Sequence, residues 1–215
     1  MMKLVYFDAR GIAEVTRMML KIGGIACEET RLSLAPKAGG GFEAPEFAAL
    51  QASGDCVINM DRLPLLHVDG FTIGQSKSIE RFVARRCNLL GSSDIEAAQI
   101  DCITEHIRDI KDKYQKVKAL PAAEKEEALK KWFAADLPEW LVKLDKSLPV
   151  TTSGFSVGTS VSYADISIWA LLSDYFDNNV SATYESCPSI KAIVATVSSI
   201  PTLRTYLTER PVTGM

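Results

Sequence analysis

Strand signals end at Asn88 in this 215-residue chain, and that change of character constrains its architecture more than any other feature. Upstream, short runs of β-branched and aromatic residues alternate with segments of helical periodicity; downstream, apolar residues recur only three and four apart. A small mixed sheet with helices packed on it, followed by an all-helical region, is the layout this pattern specifies. The segment 87–93 reads as the linker, and no internal repeat is present.

In the first region, residues 3–7 form a strand candidate and Asp8-Ala9-Arg10-Gly11 a turn. Ile12, Val15, Met18, Met19 and Ile22 then mark one face of a helix over 12–22, which Gly23-Gly24 ends, and 27–34 fits a second strand. Two more strands, 65–68 and 71–73, flank Asp69-Gly70, the dipeptide best suited to a two-residue hairpin turn. A helix over 76–86 closes the unit with Ile79, Phe82 and Val83 on one face, and Ser76 is placed to cap it. Beyond the linker, helices are predicted over 94–118, 124–148, 162–175, 189–198 and 201–208.

Composition removes several function classes. Lys and Arg number 24 against 27 Asp and Glu, a formal charge of −3, so no global positive field exists to attract nucleic acid or anionic lipid. Charged residues interrupt every apolar stretch before the ~20 residues a membrane span needs, and no basic segment followed by an apolar run opens the chain. The 5 cysteines are odd in number and scattered, without a Cys-x-x-Cys pair and with only His67 and His106 to assist them. Reduced thiols, a cytoplasmic setting and no metal site are expected.

Four local patterns bear on chemistry. Leu63-Pro64 enters a strand, where proline, lacking an amide hydrogen, belongs at a start or edge. A cis bond there would turn the Leu63 backbone outward to pair with an extended peptide; a trans strand-starting proline is the plain alternative. Gln75-Ser76 stands where the last strand passes into a helix, so main-chain amides and a hydroxyl could bind a carboxylate there, or Ser76 could serve simply as a cap. Tyr6, at the end of the first strand, offers a phenol that could stabilise a thiolate, or else an aromatic that fills the core. Ser162-Tyr163-Ala164-Asp165 is a capping box with Val161 and Ile166 as its hydrophobic staple, which makes Asp165 a folding residue rather than a catalytic acid.

Taken in order, the stretches 6–14, 63–70, 75–82 and 162–165 resemble the cytosolic glutathione transferases, most closely the tyrosine-type classes such as sigma. The resemblance implies an α/β thioredoxin-like N-terminal domain over 1–86 that binds glutathione. It implies an all-α helical C-terminal domain over 94–215 for the electrophile pocket and dimer contacts. It implies that Tyr6 activates the glutathione thiol, that Leu63 beside Pro64 pairs with the cysteinyl backbone, and that Gln75 and Ser76 hold the γ-glutamyl carboxylate. Arg62 stands where the family reaches the peptide with a Lys or Gln, and Asp109 where an acid meets the γ-glutamyl amine across a homodimer interface, with Glu105 on the same face.

Two departures stand out. Ile12 replaces an arginine that helps to stabilise the thiolate in many members, with Arg10 as a partial substitute. The segment 35–62 is long, carries Gly39-Gly40-Gly41, and offers only Phe42, Phe47 and Lys37 for the glycyl end. The function implied is conjugation of glutathione to small hydrophobic electrophiles, with no metal or redox cofactor. The alternatives are a glutathione-dependent isomerase or peroxidase, or a non-catalytic binding or scaffold protein.

Overall fold

The computed structural model describes residues 1–37, 41–149, 153–176 and 180–213; Gly39 and Gly40 of the glycine run lie outside the described residues. The chain forms two compact units, Met1–Cys87 together with Thr205–Met215, and Asn88–Arg204. An N-terminal α/β sheet domain and a helical C-terminal domain follow, as the pattern of runs specifies. The last eleven or so residues differ from the expected division, because they associate with the first unit through the polar contacts described below.

The first unit is built on a sheet of order β2-β1-β5-β6, from β1 (Met2–Phe7), β2 (Glu28–Leu32), β5 (Leu65–Val68) and β6 (Phe71–Ile73). β1 pairs parallel to β2 and antiparallel to β5, with Leu4 opposite both Glu29 and Leu66 and Tyr6 opposite Arg31. Alternation therefore sets Leu4, Tyr6, Glu29, Arg31 and Leu66 on one face. The helices α1 (Glu14–Ile22) and α3 (Ser76–Arg86) pack beside each other, burying Met18, Met19, Ile79 and Val83 completely. Such burial is worth ~2 kcal/mol per side chain.

Asp69 and Gly70 both have positive φ, 50° and 84°, as a primed hairpin turn demands. The second strand is shorter than 27–34 because Ser33 leaves the ladder: its N–H and hydroxyl both donate to the Glu46 carboxylate, at 2.6 and 2.7 Å. The segment 35–62 is not an unstructured connection. It holds a short hairpin of β3 (Ala35–Pro36) and β4 (Phe42–Glu43), the helix α2 (Pro45–Ser53) and a 3-10 turn at Val57–Asn59.

In the second unit α4 (Asp94–Lys118) buries Ile100, Ile103, Ile107, Ile110 and Tyr114, with Ser93 as its cap. The expected helix over 124–148 is interrupted: α5 (Ala122–Lys131) passes through a π turn, Trp132–Asp136, into α6 (Leu137–Ser147). Pro138 has no amide hydrogen for the carbonyl one turn back, and the wider π turn before it takes up the lost bond. The predicted helix over 162–175 is α7 (Tyr163–Ala170) followed by another π turn, Leu171–Tyr175. Every residue of α7 is buried, and the capping box is formed in both directions. Asp165 accepts from the Ser156 and Ser162 amides at 2.6 and 2.8 Å, so its role is structural. α8 (Pro188–Ser198) packs on α7, and α9 is Pro201–Glu209. Among the described residues no helix is long and apolar enough to cross a membrane, and no group of three or more His, Cys, Asp or Glu could hold a metal ion.

Candidate functional site

One end of the sheet gathers the residues singled out in the first unit. β1 ends at Phe7, β5 begins at Leu65 opposite Val5, and β6 ends at Ile73 opposite Leu66. Antiparallel pairing therefore brings Tyr6, Leu63-Pro64 and Gln75-Ser76 to the same edge.

Tyr6 is 8% exposed, and the Ile12 amide donates to its hydroxyl at 3.4 Å. Burial raises its phenol above the usual value, against the opposing pull of that amide and of Arg17, so the hydroxyl keeps its proton at neutral pH and can donate it to an acceptor. Gly11 makes the approach possible: its φ is +47°, and a Cβ there would stand 2.5 Å from the Tyr6 hydroxyl oxygen. Ile12, expected on the buried stripe of the first helix, is instead 52% exposed and acts on Tyr6 only through its backbone. The reason is a 3-10 turn at Gly11–Ala13, which rotates it off the face that α1 buries.

The Leu63-Pro64 bond is cis, the less common of the two readings left open by the sequence. Leu63 and Pro64 are buried, whereas Arg62 is exposed and its Nε donates to the Asn59 carbonyl at 3.3 Å. Gln75 precedes α3 with φ 63° and ψ 115°, an uncommon conformation for a residue other than glycine. Ser76 is the first residue of the helix and not its cap; Gln75 holds the cap position, with no side-chain cap bond. The hydroxyl is thus not spent on the helix, and the first amides of α3 are those a helix cannot satisfy internally.

Two residues of this edge were missed. Asn59, 3% exposed, ties it together: its Nδ2 donates to the Arg62 and Pro64 carbonyls at 2.9 and 3.1 Å, and its Oδ1 accepts from the Gln75 amide at 2.9 Å. Its only sequence signal is an asparagine four residues before Leu63. Arg17, 4% exposed, lies 5.8 Å from the centre of the Tyr6 ring. It donates to the carbonyls of Ala9 and Arg10 at 2.7 and 3.1 Å and pairs with Glu14 and Glu29. The i, i+3 pair Glu14 and Arg17 in the first turns of the helix was the signal available for it.

The remaining candidates are placed as follows. Arg10 is half-buried in the turn after β1. Phe47 packs edge-on against Phe7, with centroids 5.2 Å apart; Phe42 and Lys37 are exposed. Asp109 belongs to the second unit, exposed on α4, and Glu105 pairs with Arg108 at 2.6 Å.

Residues 106–210 match the family model described as glutathione S-transferase, C-terminal domain. Glutathione S-transferase P 10 of Caenorhabditis elegans is 30% identical, over 97% of this chain and 91% of its own. The crystal structure of the glutathione S-transferase from Ascaris lumbricoides superposes with a TM-score of 0.81 at 27% identity, covering 99% of this chain and 98% of that one. That of monomeric Na-GST-3, a glutathione S-transferase from the hookworm Necator americanus, does so with a TM-score of 0.81 at 26% identity, covering 100% and 99%. With likeness that extends over nearly the whole chain, the chain belongs to the glutathione S-transferases, enzymes whose co-substrate is glutathione.

Proposed function

We propose that the protein conjugates glutathione to small hydrophobic electrophiles, with the Tyr6 hydroxyl activating the thiol. The observation that carries this reading is the hydroxyl itself, accepting from the Ile12 amide and kept protonated by burial. With an acceptor bond already supplied by protein, its own proton is free to point at an incoming sulfur. Lowering a thiol pKa by ~2 units takes ~2.7 kcal/mol of differential stabilisation. A phenolic hydrogen bond to a thiolate, strengthened by charge, supplies a large share of that. Tyrosine-type activation of the sigma kind rests on the same geometry, and the replacement of an arginine by Ile12 leaves it intact, because position 12 contributes a backbone donor.

Glutathione is held, in this reading, by the Leu63 backbone beside cis Pro64, by Gln75, Ser76 and the first amides of α3 around the γ-glutamyl carboxylate, and by Arg10 and Arg62 along the peptide. The left-handed Gln75 supports it, since such backbone conformations persist where surrounding contacts enforce them, here those of Asn59. A homodimer in the cytoplasm, in which Asp109 of one chain meets the γ-glutamyl amine bound by the other, completes the proposal. Asp109 is exposed on α4 and available for such a role.

The test is Tyr6→Phe, followed by the ultraviolet absorbance of enzyme-bound thiolate against pH. The bound thiol pKa is expected to rise by about 1 to 2 units with glutathione affinity retained. An unchanged thiol pKa removes Tyr6 from the chemistry, and a folded variant and wild type that both fail with several electrophiles would favour the scaffold alternative.

A further inference from the structure

The polar cluster behind Tyr6 extends to the far end of the chain. Glu14, 4% exposed at the start of α1, accepts from the Tyr206 hydroxyl at 2.8 Å and from Arg210 Nη1 at 2.7 Å through one oxygen. Its other oxygen accepts from Arg17 Nη1 at 3.0 Å. The same Nη1 grips the carbonyls of Ala9 and Arg10, immediately before Gly11 and Ile12, which shape the surroundings of the Tyr6 hydroxyl. On the other flank Glu29 joins Arg17 to Arg31, and Arg31 reaches Asp8 at 3.1 Å.

Arg17 also lines a cavity of about 300 Å³ with Leu20, Lys21, Cys27, Glu29 and Tyr206. Its guanidinium is bound by two carbonyls and two carboxylates, and Glu14, one of those carboxylates, is held in turn by the two donors from the C-terminal segment. Arg17, Arg31 and Arg210 balance Glu14, Glu29 and Asp8 in charge, so the cluster positions groups rather than lending net positive charge to a thiolate.

We propose that Tyr206 and Arg210 are positioning residues for thiol activation: by holding Glu14 they orient Arg17, which fixes the Ala9 to Ile12 turn against the Tyr6 hydroxyl. The inference rests on the reading of Tyr6 given above. It makes the C-terminal segment, grouped with the first unit, part of the machinery rather than a mere tail.

The experiment compares wild type, Tyr206→Phe, Arg210→Met and Arg210→Lys, together with Tyr6→Phe and the Tyr6→Phe/Tyr206→Phe double variant, in the full-length chain. The bound thiol pKa is read by thiolate absorbance, glutathione affinity by calorimetry, and folding by thermal unfolding. Tyr206→Phe and Arg210→Met are expected to raise the thiol pKa by about 0.5 unit or more with affinity changed less than about 2-fold, and Arg210→Lys to restore part of the shift. In the Tyr6→Phe background, Tyr206→Phe is expected to add nothing, because its effect runs through the missing hydroxyl. Should Tyr6→Phe raise the thiol pKa while folded Tyr206→Phe and Arg210→Met leave it unchanged, lowering only the melting temperature, the contacts of Tyr206 and Arg210 with Glu14 are structural and the proposal falls alone. An equal Tyr206→Phe shift in both backgrounds overturns it too. No shift in Tyr6→Phe itself removes the reading of Tyr6 and, with it, the positioning role of Tyr206 and Arg210.

Discussion

Gly11 and the Tyr6 hydroxyl occupy one space: a side chain on Gly11 would begin 2.5 Å from that oxygen, on a backbone already at φ +47°. Gly11→Ala is therefore expected to move Tyr6 or open the turn, with ~1 to 2 kcal/mol of left-handed strain besides. Turnover should fall by about 10-fold or more while glutathione binding changes little, since the proposed carboxylate site lies on other elements. Steady-state kinetics beside calorimetry separates the two; equal losses in both would mean that the whole edge has collapsed.

Asn59 is expected to govern affinity. Asn59→Ala removes three hydrogen bonds, one to a buried and two to partly buried main-chain groups, at a cost of roughly 2 to 3 kcal/mol in stability. In the folded fraction the Michaelis constant for glutathione should rise more than the turnover number falls, because in the proposed site Leu63 and Gln75 would bind ground and transition states alike. Denaturant titration and saturation kinetics check both halves of this expectation.

For Asp109 the informative measurement is mixing. A heterodimer of Asp109→Asn and Ser76→Ala chains regenerates one wild-type pocket if the acid acts across the interface, and none if it acts within its own chain. One high-affinity glutathione site per heterodimer is the expected outcome. A monomer in sedimentation, the state named for the hookworm relative, would remove Asp109 from the site.

The thiols differ in their expected response to alkali. Burial pushes Cys87 up to about 11 from 9.0, whereas Cys102 is exposed beside His106. Alkylation at neutral pH should label exposed Cys102 first and the buried Cys56, Cys87 and Cys187 last, as peptide mapping would show. The folded protein retains the Cys87 proton where the unfolded chain has lost it, so stability should fall as pH rises from 9.0 toward about 11. Cys87→Ala should flatten that slope in denaturant titrations, and an unaltered slope would assign it to other groups.

Much of the local structure was legible because its causes are local. The bounds of α3 and α4, the Asp69-Gly70 hairpin and the Ser162 to Asp165 capping box depend on neighbours within about one helical turn or one turn of chain, and each forms where the residues place it. Tyr6, Leu63-Pro64 and Gln75-Ser76 could be singled out for the same reason, each marking the end of an element. Local rules failed where something else overrode them: Gln75, held by Asn59, took the cap position expected of Ser76, and a π turn just before Pro138 interrupts a helix that periodicity alone had carried through.

By itself the sequence determined two regions of different secondary structure and the turns within the first, since these follow from periodicity and from the φ preferences of Gly, Pro and Asp. Tertiary structure alone decided the rest. Asn59 could be recognised as a clamp only once Gln75, sixteen residues on, had been brought to it, and the ion cluster around Arg17 only once Tyr206 and Arg210, nearly two hundred residues from Glu14, had been docked. A buried guanidinium or amide is tolerable only when every polar atom around it finds a partner, and those partners come from segments whose meeting no local pattern encodes.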